Sequence, residues 1–147
     1  MDFAVVALGI AVIIGLLYLA VGETPLSIAG YAQNAGFSGF DLGIAVAIAY
    51  AESAGNPNAI GDLDLGTSVG LWQINLAAHP EYDQQTLLDP QQNANAAFAI
   101  YSAAGNSFSP WTTFNNGAYL NNAQQAQDAT GIDITGTDDI GDEDDDT

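Results

Sequence analysis

The chain of 147 residues has no lysine and no arginine against eighteen aspartates and glutamates, a formal net charge of −18. A surface without basic side chains cannot neutralise phosphates, which argues against a nucleic-acid partner. It is also repelled by an anionic membrane surface. Cysteine is absent as well, so the fold uses neither disulfides nor thiolate-bound metal. A single histidine, His79, stands before Pro80 in a turn-like context. One imidazole cannot build a zinc site or complete a nucleophilic triad without partners, and no convincing serine elbow is present.

What acid there is lies unevenly. Residues 138–147, "DDIGDEDDDT", hold seven of the eighteen acids, as a solvated tail does. At the other end, residues 3–22, "FAVVALGIAVIIGLLYLAVG", contain no charge. As a helix rising about 1.5 Å per residue they reach roughly 30 Å, the thickness of a bilayer's hydrocarbon core. A transmembrane helix is the leading reading. A cleaved signal peptide is its rival, since Ala20-Val21-Gly22 has the small residues of a cleavage site, but the stretch lacks a basic n-region. Without lysine or arginine, the positive-inside rule gives this helix no orientation. The resulting division is an N-terminal transmembrane segment (1–25), one globular domain (26–128) and an acidic tail (129–147), with the middle part near the usual domain size.

Within that middle part the pattern is mainly α, with no internal repeat. A first helix is expected over about 26–35, stopped at Gly36. A second begins after Ser38-Gly39, with Asp41 as a cap or first-turn acid, and runs to about Ser53. Residues 55–69 are rich in Gly, Asn and Asp, as a loop or short hairpin is. Further helices are expected over 70–77, over 91–103 after Asp89-Pro90, and over 116–128.

The second helix carries an oddity. Glu52 shares its face with Ile44, Ala45, Ile48 and Ala49 at helical spacing. A carboxylate on an apolar stripe loses hydration in its charged form, which raises its pKa. The negative end of the helix dipole works in the same direction. A raised carboxylic acid is what general-acid chemistry near neutral pH needs. An exposed helix-end glutamate remains the plainer reading of these residues alone.

Eighteen residues after Glu52 the chain reaches Gly70 within "VGLWQIN", 69–75, and later reads "PWTTFNNGAY", 110–119. The order Ala51-Glu52-Ser53, Gly55-Asn56-Pro57, Gly70-Leu71-Trp72-Gln73-Ile74-Asn75 and then 110–119 resembles the soluble lytic transglycosylase domain of the lysozyme-like superfamily. The likeness covers about residues 26–127. It is nearest to versions in bacteriophage virion proteins, where "SVGLWQIN", "HP", "DP", "NA" and "PW...NGAY" follow in this order.

The resemblance implies a small helical lysozyme-like fold and a peptidoglycan lytic transglycosylase that needs no cofactor. Glu52 would protonate the bond between N-acetylmuramic acid and N-acetylglucosamine, then act as base while the muramyl 6-hydroxyl closes a 1,6-anhydro ring. Ser53, Gln73 and Asn115 match residues that contact substrate or order the site; as plain structure they would be a cap, a loop-bracing amide and a turn residue. Phe114 stands where the third motif normally has tyrosine, keeping a cleft wall but losing a hydroxyl. Tyr119 is a candidate to replace that hydroxyl, although a helix places it on another face. The implied partners are peptidoglycan strands, a membrane through residues 3–22 and other virion proteins, and the implied location is a phage particle acting at the host periplasm or cell wall.

Other readings stay open. Asp62 and Asp64, in "GDLDLGTS", could serve as a second carboxylate for hydrolysis or as calcium ligands, against the simpler reading of a solvated loop that lacks the closing bidentate acid. Trp72, Trp111, Phe108, Phe114 and Tyr82 could stack on sugars or fill the core. A structural or glycan-binding virion protein with a degenerate domain and a hydrolytic lysozyme are the alternatives to the transglycosylase.

Overall fold

A computed structural model of the chain describes residues 26–63 and 66–136. The stretch 3–22, expected to span a membrane, lies outside the described residues, as do Asp64 and residues 137–147. Among the described residues no helix is long and apolar enough to cross a membrane.

Helix α1 (Ile28–Ala35) starts where Ser27 turns its hydroxyl oxygen to the Gly30 N–H at 3.1 Å. That satisfies one of the donors a helix start leaves free. It stops at Gly36, whose φ of 127° leaves the helical region. A Cβ at Gly36 would sit 2.7 Å from the Phe98 ring, so no larger residue fits. Helix α2 (Gly39–Ser53) is buried without a break from Leu42 to Ala49. A helix apolar on every side belongs in the middle of a domain, and this one forms the axis of the fold.

After α2 comes a three-stranded antiparallel sheet of β1 (Ile60–Leu63), β2 (Gly66–Val69) and β3 (Ile74–Asn75), in that order. Val69 pairs with Ile60 on one side and Ile74 on the other. Then follow α3 (Gln84–Leu87), α4 (Pro90–Ala103), α5 (Thr112–Asn115), a 3₁₀ helix (Ala118–Asn122) and α6 (Ala123–Thr130). Asp89 caps α4 by accepting the Gln92 N–H at 2.9 Å, with Pro90 in the first turn, as the Asp-Pro pair predicts. Helices α1, α5 and α6 and the 3₁₀ helix pack around α2, and α4 lies on α1. Phe37, Tyr101 and Phe108 form an aromatic centre, with ring centroids 4.6 to 5.8 Å apart.

The mainly helical architecture with one hairpin matches expectation, and three local readings are corrected. No helix forms over 70–77: the chain makes a turn and strand β3 there. The expected helix over 116–128 is a 3₁₀ segment followed by α6, with the separate helix α5 before it. The packed domain also runs past 128. Helix α6 extends to Thr130, and Ile134 is buried over Gly43, where a Cβ would come within 2.5 Å of the Ile134 side chain.

Candidate active site

Two tryptophans and one asparagine place the cleft walls. Gly70 has φ of 79°, and a Cβ there would meet Asn93 Nδ2 at 2.2 Å and the Leu87 carbonyl oxygen at 2.7 Å. Only glycine lets the backbone pass so close. Asn93 is fully buried. Its amide donates to the carbonyls of Val69 (2.8 Å) and Leu87 (3.0 Å), and its Oδ1 accepts the Trp72 N–H at 2.9 Å. One buried amide thereby ties together backbone groups of β2, α3 and the turn before β3. Trp72 then donates its indole N–H to the Ala45 carbonyl in the middle of α2 at 2.9 Å. Trp111 donates its own to the Trp72 carbonyl at 2.9 Å. This relay ties α2, which carries Glu52, to Trp111, which opens α5.

Between these elements lies a cleft of about 390 Å³. Glu52 enters from the end of α2, Ser68 and Asn75 from the sheet, Gln73 and His79 from the loops around β3, and Trp111 and Thr113 from the start of α5. The Glu52 carboxylate is half-buried, and the Thr113 hydroxyl donates to its Oε1 at 2.7 Å. Burial pushes the carboxyl above the ordinary glutamate value of 4.5, and the Thr113 bond draws it part of the way back. The residue that reads as misplaced in the sequence is a desolvated acid aimed into a cleft.

The other expected site residues divide. Gln73 lines the cleft. Its φ is 47°, and its Nε2 donates to the carbonyls of Ala59 (3.1 Å) and Gly70 (2.9 Å). With both amide hydrogens committed to the loop, Gln73 braces the wall it belongs to. Ser53, Phe114, Asn115 and Tyr119 do not line this cleft. Ser53 is buried and bonds back to the Ala49 carbonyl at 2.8 Å, a local contact common for serine in helices. Asn115 donates to the Ser109 carbonyl at 2.8 Å and so closes the loop that presents Thr113. Phe114 packs on Phe108 at 5.6 Å and on Tyr119 at 5.1 Å, in an aromatic cluster beside the core. The Asp62 side chain, like Asp64, lies outside the described residues.

Sequence reasoning missed Thr113, the hydroxyl next to Phe114 that reaches Glu52, and the clamp of Asn93. An asparagine flanked by Ala94 and, at helical spacing, by Ala96 and Ala97 is the visible signal for the clamp, since a polar side chain on an apolar helix face must find partners. Nothing local marks Thr113 out from Thr112. Its partner is 61 positions away.

No curated protein and no solved structure matches the chain. A family model described as a lysozyme-like domain matches residues 29–113, more than half of the 147 residues, and takes in Glu52, the sheet, Gln73 and Thr113. The chain belongs to this lysozyme-like domain family, whose members act on peptidoglycan.

Proposed function

We propose that the protein is a lytic transglycosylase, cleaving the β-1,4 bond between N-acetylmuramic acid and N-acetylglucosamine and leaving a 1,6-anhydro-muramyl end. The observation that carries this reading is the desolvated Glu52 carboxyl in the cleft, which keeps a proton to higher pH than a free glutamate. Glu52 gives that proton to the glycosidic oxygen as the C1–O4 bond breaks. The carboxylate so formed takes the proton of the muramyl 6-hydroxyl as O6 bonds to C1, which returns Glu52 to its starting state without consuming water. The nucleophile belongs to the substrate, so one carboxylate suffices. Among the side chains described, Glu52 is the only carboxylate lining the cleft. The two-carboxylate arrangement of hydrolases asks for a second acid about 5 to 10 Å away.

The setting follows from the same reading. The motif order resembles phage virion proteins, and the uncharged stretch 3–22 is long enough to hold a bilayer. Both support a virion protein, membrane-associated and in contact with other virion proteins, that opens peptidoglycan locally in the host periplasm or cell wall during genome delivery. The test is digestion of purified peptidoglycan by the full chain and by Glu52→Gln, with products read by mass spectrometry. Anhydro-muramyl ends from the wild type and none from Glu52→Gln are expected. Reducing muramic ends carrying ¹⁸O from labelled water would make the protein a hydrolase instead, and binding without cleavage would make it a glycan-binding module.

A further inference from the structure

We propose that Thr113 is the positioning residue of the catalytic acid: its hydroxyl holds Glu52 Oε1, leaving Oε2 as the oxygen that carries and delivers the proton. This rests on the reading of Glu52 as the general acid. A carboxyl group with two equivalent oxygens presents its proton in either of two directions. The Thr113 bond at 2.7 Å makes the oxygens inequivalent, because Oε1 accepts a hydrogen bond that a protonated oxygen accepts poorly. The hydroxyl is itself held in place. Trp111, two residues before it, is fixed through Trp72 to the Ala45 carbonyl on α2, the helix that ends in Glu52. Asn115, two residues after it, is fixed to the Ser109 carbonyl. Donor and acceptor are therefore set against each other through a closed path of backbone and indole bonds. During the reaction the proton leaves Oε2 for the glycosidic oxygen, and Oε2 takes the 6-hydroxyl proton back. Thr113 keeps its own proton throughout, and its bond to Oε1 strengthens while the carboxylate is charged.

The test uses the full chain with Thr113→Val, which keeps the shape and removes the hydroxyl, and Thr113→Ser, which keeps the hydroxyl. Two readouts are taken: the pH profile of kcat/KM on peptidoglycan and the carbon-13 titration of the Glu52 carboxyl. Thr113→Val removes a bond that favours the charged form. The descending limb of the profile and the Glu52 midpoint both move up by about one pH unit, and kcat at the optimum falls about tenfold. Thr113→Ser restores both. A loss of rate equal at every pH, with the Glu52 midpoint unmoved, would reduce Thr113 to a structural residue and overturn the proposal. So would a shifted midpoint with kcat unchanged. Full activity in Glu52→Gln would remove the acid itself and the positioning role with it. The titration separates the two failures, since it reports the Thr113 bond whether or not the protein turns over.

Discussion

The start of α3 and the end of α2 each present a carboxylate held by a threonine hydroxyl at 2.7 Å: Thr86 on Asp83 and Thr113 on Glu52. The two groups shift in opposite directions. Asp83 is fully exposed and caps α3, accepting the Thr86 backbone N–H at 2.9 Å as well as its hydroxyl. Those bonds, the backbone one first, hold it below the ordinary aspartate value of 3.8. Glu52 has the same hydroxyl bond, but burial outweighs it and the carboxyl ends above 4.5. The same hydroxyl bond therefore accompanies a carboxyl held below its ordinary value where water reaches the group and one held above it where burial removes water.

Exchanging the two acids for uncharged residues separates their roles most widely. Glu52→Gln should lower peptidoglycan turnover by about 10² to 10⁴, whereas Asp83→Ala should leave it unchanged. The stability effects also differ in sign. With its folded pKa raised, Glu52 makes the native state less stable as pH rises from the unfolded toward the folded value, and Glu52→Gln should melt above the wild type at pH beyond that window. Thermal melts across pH 3 to 8 check both.

Removing the support of the wall comes next. Asn93→Ala leaves the Trp72 N–H and the Val69 and Leu87 carbonyls buried without their partner, and should cost about 3 kcal/mol or more in urea unfolding. Trp111→Phe keeps most of the wall but loses the bond to the Trp72 carbonyl, at about 1 kcal/mol. By admitting water it should move the Glu52 midpoint down toward 4.5, opposite in sign to Thr113→Val. A pH profile that moves up in Trp111→Phe would mean the indole does not keep Glu52 dry. The smallest effect is expected from Asp83→Ala on stability. Its bonds favour the charged form, so the loss in Tm should be present at neutral pH and shrink as pH falls below the ordinary aspartate value.

Elements set by neighbouring residues were legible in the sequence. Gly36 ends α1, Asp89-Pro90 opens α4, and the apolar face of Glu52 foretells its desolvation, because glycine and proline geometry and helical periodicity act within a few positions. The segment 70–77 was not legible. Leu71, Trp72 and Ile74 have apolar spacing that suits a helix, yet all three are buried in a turn and strand. What decides the backbone there is Asn93, 21 residues along the chain from the amide it binds. A local pattern carries no trace of such a partner. The site divides in the same way. Glu52 and Gln73 sit in motifs readable on their own, while Thr113 acquires its role only when α5 is folded against the end of α2 through Trp72 and Trp111.

The most direct measurement is a carbon-13 titration of the side-chain carboxyls of the wild-type chain, with Glu52 and Asp83 followed in the same spectra. The Glu52 midpoint should lie above 4.5 and that of Asp83 below 3.8. A Glu52 midpoint at or below 4.5 would mean that the cleft does not withhold water from its acid, and would contradict the assignment of Glu52 as a proton donor made by burial.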